Sequence, residues 1–292
     1  MRLRLLYNPA AGRGAAKAHV RDAEDIFRAG GATVETQASA SPEDMTRLAA
    51  ESSRGGYDRV VLCGGDGTLN LAIRDFDLER GTLALLPFGS GNDFARVLGI
   101  SKKLREACDV VLNGRVREVD VALANNRRYL GVAGLGFDSE VARFANENAK
   151  FLRGSAVYLY AILRVLPQFI PHHVKIDAKR EAEIMFAAVG NSRQYGGGIR
   201  ITPDAKIDDG LLDICIVHKT SRMQLLKTLP QAYNGGHVRN AFVETRRATE
   251  FSFTSDRVLD VYADGERITT TPVKFALAEK KLRFVVALTP WT

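Results

Sequence analysis

Two stretches carry the densest chemistry in this sequence: Gly64-Gly65-Asp66-Gly67-Thr68-Leu69-Asn70 and Pro87-Phe88-Gly89-Ser90-Gly91-Asn92-Asp93. Each follows a short apolar run, Val60-Val61-Leu62-Cys63 and residues 82–86, of the kind that makes a buried strand. Glycine permits a sharp turn and leaves the backbone open to a ligand. A strand that passes through glycines into a helix start aims backbone N–H groups and a helix dipole at an anion. One such turn is often only a tight connection. A second, at the end of the next strand, implies one ligand held between neighbouring loops, because open α/β sheets bind ligands at the carboxyl ends of their strands. No Gly-Lys-Ser/Thr follows, so neither turn is a Walker P-loop.

Anions of this kind suggest phosphoryl transfer, which needs neutralised phosphates, alignment and a base for the acceptor hydroxyl. Asp66, Asp93, Asp120, Asp264 and Glu266 are the candidate acids. Each has a structural alternative. Asp93 can cap a helix after Asn92, and Asp120 between Val119 and Val121 can be a strand-edge acid. Asp264-Gly265 is the strongest short hairpin signal. Thr68 and Asn70 offer side-chain hydrogen bonds to a phosphate ligand, and Asn8 with Gly12 and Gly14 would border the same pocket after the first strand. Pro203-Asp204-Ala205-Lys206-Ile207-Asp208-Asp209-Gly210-Leu211 is a loop before a strand, and its two adjacent acids and glycine read as a solvated turn.

In order along the chain, these motifs resemble the catalytic domain of the diacylglycerol kinase family, and more narrowly the soluble bacterial lipid kinases related to sphingosine and ceramide kinases. Asn8-Pro9-Ala10-Ala11-Gly12-Arg13-Gly14, Gly134-Leu135-Gly136-Phe137-Asp138, Tyr195-Gly196-Gly197-Gly198 and Asp264-Gly265-Glu266 complete the set, which spans essentially the whole chain. The resemblance implies an ATP site lined by Asn8, Thr36, Gly64, Gly65, Asp66, Gly67, Thr68, Leu69, Asn70 and Ser90, the last replacing the usual threonine. It implies an acidic network of Asp66, Asp93, Asp120 and Asp264 around magnesium, water and the acceptor hydroxyl, with Asp264, or next Glu266, as general base. It also implies a structural magnesium or calcium held by Asp209 and the backbone oxygens of Lys206 and Leu211, with Asp208 close by. The activity would be transfer of the ATP γ-phosphate to a lipid hydroxyl, such as that of diacylglycerol. An NAD kinase-like enzyme shares the Gly-Gly-Asp-Gly-Thr turn, but the Pro87–Asp93 stretch matches the lipid kinases. A non-catalytic lipid- or nucleotide-binding regulator would have lost motif acids, and none is missing.

The elements that must position these residues change character part-way. Residues 3–7, 33–36, 60–63 and 82–86 read as strands, and 15–29, 41–53 and 102–112 as helices, with Ser41 and Pro42 opening the second. Alternation of this kind predicts a parallel sheet with helices on both faces, an α/β nucleotide-binding domain over residues 1–120. From 121 to 292 short alternating runs dominate, at 118–123, 174–177, 182–190, 211–217, 251–253, 258–263, 273–277 and 282–287. They predict a mainly antiparallel, β-sandwich-like lipid-acceptor domain, interrupted by helices at 155–168 and 222–232. The resemblance places the active site in the cleft between the two.

At 292 residues and 46% hydrophobic content the chain can bury a sizeable core. No apolar run approaches the roughly 20 residues of a membrane span, and the start is too short for a signal peptide. Three scattered cysteines suit a reducing compartment. The reading is a cytoplasmic protein that visits the inner face of the membrane reversibly. The net charge of +7 is dispersed and not interleaved with aromatics, so it favours an anionic membrane surface or a nucleotide over nucleic acid. The oligomeric state, a homodimer included, and the identity of the lipid stay open.

Overall fold

A computed structural model of the chain describes residues 1–9, 16–148 and 155–288. The Gly12 and Gly14 turn lies outside the described residues. The chain divides into two compact units, Met1–Val121 with Glu279–Thr292, and Ala122–Ala278.

The first unit runs β1 (Arg2–Tyr7), α1 (Ala16–Ala29), β2 (Thr33–Ala38), α2 (Pro42–Arg54), β3 (Arg59–Gly64), α3 (Asp66–Ile73), β4 (Thr82–Pro87), α4 (Asp93–Val97), α5 (Leu104–Asn113) and β5 (Arg115–Val119). β3 and β4 are almost entirely buried, as near-continuous apolar strands of a covered parallel sheet must be. α1 pairs with α5 and α2 with α3 across the sheet. α2 starts where its cap predicts: Ser41 Oγ accepts the Asp44 N–H at 3.1 Å and Pro42 fills the first turn.

Two expectations change here. The C-terminal strand does not stay with the second domain. It lies in the first sheet, whose order is β2-β1-β3-β4-β17-β5, with β17 (Leu282–Val286) parallel to β4 and antiparallel to β5. Phe284 sets its ring edge-on to Phe94, 5.8 Å between centroids. An apolar strand reads alike whichever sheet it joins, so composition did not reveal this return. The run 118–123 is also not one strand, because β5 ends at Val119 and the next strand starts at Ala122. The order β2-β1-β3 reverses direction between β1 and β3, a topological switch point. Asn8 follows β1 there, and Gly64-Gly65 ends β3.

The second unit contains β6 (Ala122–Ala124), β7 (Arg127–Tyr129), β8 (Val132–Gly136), α6 (Phe137–Asn148), α7 (Ser155–Val165), β9 (His172–Ile176), β10 (Arg180–Gly190), β11 (Leu212–His218), α8 (Arg222–Ala232), β12 (Val243–Ala248), β13 (Glu250–Ser255), β14 (Asp260–Ala263), β15 (Glu266–Thr270) and β16 (Val273–Leu277). Its antiparallel path is β15-β14-β8-β10-β9-β13-β16-β6-β7, with β11 also on β10 and β12 on β11. Tyr129, Phe253 and Phe275 are fully buried and meet edge to face at 6.3–6.4 Å. Each such ring contributes about 1.5–3 kcal/mol by leaving water. A second apolar layer, with Phe137, Ala161, Phe169, Met185 and Leu225, packs α6, α7 and α8 on the sheet.

One buried polar group sits inside this unit. His237 is 1% exposed, its Nε2 lies 3.1 Å from the Ile201 carbonyl, and its Nδ1 has no partner. Burial holds its pKa below the usual imidazole value, against the pull of that carbonyl. A depressed folded-state pKa means that acid protonates the unfolded chain first. Stability is therefore lost as pH falls below the unfolded value of about 6.5. Melting temperature followed from pH 7.5 to 5 should fall less steeply in His237→Gln than in the parent. Parallel slopes would place the acid lability elsewhere.

Candidate functional site

The two glycine turns touch through their backbones. Gly64 and Pro87 are register partners on β3 and β4, and Phe88 N–H donates to the Gly64 carbonyl at 2.9 Å. A Cβ on Gly65 would stand 2.8 Å from the Gly89 Cα, and one on Gly89 2.5 Å from the Gly65 Cα. Only glycine at both positions permits that approach. Asn92, at φ +53°, ties up its own turn: its Oδ1 accepts the Gly89 N–H at 3.0 Å, and its Nδ2 donates to the Gly89 and Pro87 carbonyls.

Asp66 joins the turns. It opens α3, and its two carboxylate oxygens accept the Asp93 and Phe94 N–H groups, each at 3.1 Å, at the start of α4. Burial pushes its pKa up, as does the Asp93 charge, while the N–H bonds from Phe94, Asp93 and Asn92 oppose this. Asp66 thus acts first as a bridge between the two phosphate-cradle candidates. Asp93 is buried and paired with Arg96 at 2.7 Å. Asp120 is 3% exposed and meets Lys281 Nζ at 2.8 Å. Lys281 reaches it because the C-terminal strand returns to this sheet, which sequence reasoning missed.

The remaining nucleotide candidates fall into two groups. Residues 64–70 form one strand end and helix start, with Thr68, Leu69 and Asn70 buried. Thr36 lies on β2 beside Leu5, Asn8 just past β1, and Ser90 is exposed at the tip of the second turn. Two of them are orphans. Both polar atoms of the Asn70 amide and the Thr36 hydroxyl are buried without a hydrogen-bond partner. Buried polar groups are normally satisfied, so these two orphaned side chains are candidates to meet a ligand. The glycine cradle and these groups fit a nucleotide phosphate chain.

In the second unit Asp264-Gly265 is indeed a two-residue hairpin, with φ +51° and +86° between Ala263 and Glu266. It is more than a turn. The Asp264 carboxylate accepts the Gly131 and Val132 N–H groups, both at 3.1 Å. A Cβ on Gly131 would lie 1.9 Å from Asp264 Oδ1, so glycine is required there. Glu266 opens β15, half-buried. Sequence reasoning noted the glycines around Asp138 and Tyr195 but missed the pair. Tyr195 OH donates to Asp138 Oδ1 at 2.6 Å, and burial raises the Asp138 pKa to about 6. Gly134, four residues earlier, leaves room for that carboxylate, which was the available signal.

The 203–211 loop is held by hydrogen bonds and an ion pair. Asp209 Oδ1 accepts the Leu211 N–H at 3.2 Å, and its Oδ2 is held by Arg247. Lys206 is exposed and Asp208 half-buried. Among the described residues, no three acidic, histidine or cysteine side chains converge as metal ligands.

Comparison with known proteins follows the same division. The diacylglycerol kinase catalytic domain matches residues 2–124, and the YegS C-terminal NAD kinase beta sandwich-like domain matches residues 131–286. The chain belongs to the diacylglycerol kinase family. The diacylglycerol kinase of Mycobacterium tuberculosis is 32% identical over 288 residues, 95% of this chain and 93% of that protein. The diacylglycerol kinase of Bacillus subtilis is 28% identical over 291 residues, 98% and 96% of the two. A crystal structure of a diacylglycerol kinase from Bacillus anthracis superposes with a TM-score of 0.82 at 27% identity, over 98% of this chain and 97% of that one. This family member thus has the family's two-part fold from end to end.

The orphaned amide makes a prediction. An unpaired buried amide costs about 1–3 kcal/mol, and an apolar isostere relieves that cost. Without nucleotide, Asn70→Leu should melt about 2–6 °C higher than the parent in calorimetry. A lower melting temperature would mean that the Asn70 amide is satisfied in solution and not reserved for a ligand.

Proposed function

We propose that this family member is an ATP-dependent lipid kinase, a phosphotransferase with an alcohol group as acceptor. The observation that carries the reading is the contact of Gly65 with Gly89, bridged by Asp66, beside the unpartnered Asn70 amide. Backbone N–H groups of residues 65–68 and 90–91, with the Asn70 and Thr36 side chains, would bind the triphosphate. Asn8, Leu69 and Ser90 would border it. Magnesium, when bound with the nucleotide, would neutralise phosphate charge; Asp93 and Asp120 are the acids proposed to share that work, each now facing a basic side chain.

Asp264 is the proposed base. Two backbone N–H bonds fix its carboxylate in one orientation at the hairpin tip. As the lipid oxygen bonds to the γ-phosphorus, the hydroxyl proton passes to Asp264. The bond from that phosphorus to the β,γ-bridging oxygen breaks, and ADP leaves with the electron pair. Glu266, at the other end of the same turn, is the second choice.

A lipid acceptor stays in its bilayer, so the protein must reach the surface. No described helix is long and apolar enough to cross a membrane. The proposed contact is the outer face of α7, where Leu159 and Leu163 are more than half exposed. Ile170 and Met223 extend this apolar face. Arg222, bonded to the Phe169 carbonyl at 3.2 Å, holds the start of α8 beside it. Basic side chains at such a rim contribute about 1 kcal/mol each toward anionic lipid.

Two experiments test this reading. With labelled ATP and a panel of lipid alcohols, Asp264→Asn should lose roughly 10²–10⁴-fold in kcat with the nucleotide KM little changed. Loss in Glu266→Gln with Asp264→Asn near parental kcat would move the base to Glu266, and activity in both would remove the turn from the chemistry. In vesicle sedimentation, the double variant Leu159→Ser, Leu163→Ser should bind anionic vesicles at least tenfold more weakly, since each buried leucine contributes about 1.5–3 kcal/mol. Turnover on a short-chain, water-soluble acceptor should be unchanged. Equal vesicle binding would remove α7 from the membrane contact.

A further inference from the structure

The loop at residues 203–211 presents a concentration of negative charge next to an edge strand. Asp209 and the 7%-exposed Asp213 both face Arg247. We propose that the Arg247 guanidinium is the resident cation of this loop, which therefore folds without a divalent ion.

The placement is dictated by the sheet. Asp213 on β11 and Arg247 on β12 are direct register partners in an antiparallel pair, so their side chains share a face. A one-residue slip would turn Arg247 away. Arg247 Nε lies 3.3 Å from Asp213 Oδ1, and its Nη2 reaches Asp209 Oδ2. The fork thus ties the β11 strand to the turn that precedes it, a bridge that a planar guanidinium suits better than an ammonium.

Both oxygens of the carboxylate that would ligate an ion already have a partner. One Asp209 oxygen accepts the Leu211 N–H, and the other accepts from Arg247. Calcium needs 6–8 oxygen ligands and magnesium a near-octahedral set. A divalent ion at Asp209 would have to displace the guanidinium or sit against its positive charge. Displacement would leave Asp213, whose carboxyl burial already disfavours as an anion, without its balancing cation. Arg247 remains charged at any working pH, so the lock needs no supply of metal.

Thermal unfolding of the full chain without nucleotide tests this, in chelator and in millimolar calcium or magnesium at equal ionic strength. The parent should melt at the same temperature in all three. Arg247→Met should melt lower by on the order of 5 °C in each, and Arg247→Lys should recover part of that loss. A saturable rise of the parent melting temperature with either ion, abolished in Asp209→Asn, would overturn the proposal. So would an Arg247→Met variant that melts with the parent. If Arg247→Met does not fold, the parent titration and Arg247→Lys still decide: an indifferent parent with a partly weakened lysine variant supports the lock.

Discussion

Everything in the first unit depends on how closely β3 and β4 bring their ends together. Neighbouring strands in a sheet lie about 4.8 Å apart, and here the turns that leave them stay in contact beyond the last ladder bond. Gly65 and Gly89 make this possible, and Asp66 makes it fixed, because one carboxylate of the first turn caps the helix of the second. The proposed phosphate cradle is therefore not a single loop but a two-loop unit with a shared acid. Disturbing either glycine moves both helix starts at once. This explains why an acid that could serve as a metal ligand spends both oxygens on backbone N–H groups.

The second unit uses the same device. Asp264 stands at a hairpin of positive φ and anchors its carboxylate on the backbone at the start of β8, over a glycine that leaves it room. In both units an acid is held by two main-chain N–H groups opposite a glycine. Such an acid has few alternative rotamers, and preorganisation of that kind is what a base or a cradle requires. The local strain of a non-glycine residue at positive φ, on the order of 1–3 kcal/mol, is offset by those two bonds.

The sequence made the early elements legible because β3, β4 and the capped start of α2 combine strong period, length and turn chemistry. It also marked the Asp264 hairpin. It was less informative where pattern and role diverge. β12, Val-Glu-Thr-Arg-Arg-Ala, reads as a polar stretch because it is an edge strand with one face in solvent. β8, Val-Ala-Gly-Leu-Gly, reads as a glycine loop, yet it is central, and Gly134 and the neighbouring Gly131 are small to admit the carboxylates of Asp138 and Asp264. The return of β17 was invisible because an apolar strand does not name its partners. With it went the Asp120–Lys281 pair, since a contact between distant residues has no local signal.

That last point bears on the acids as a group. The sequence presents Asp66, Asp93, Asp120 and Asp209 as equivalent candidates for metal or catalysis. The structure gives each a different counter-charge: backbone N–H groups, Arg96, Lys281 and Arg247. The three cations are side chains whose position is set by strand register or helix spacing. A carboxylate with an internal partner pays only side-chain ordering, whereas an ion must be recruited from solution and dehydrated. The Asp93–Arg96 pair is partly solvated, with 44% of the arginine side chain exposed, so a phosphate chain can compete for the guanidinium. Arg247, with 43% of its side chain exposed, is as solvated as Arg96; what sets it apart is that it joins two carboxylates, Asp209 and Asp213, where Arg96 faces one.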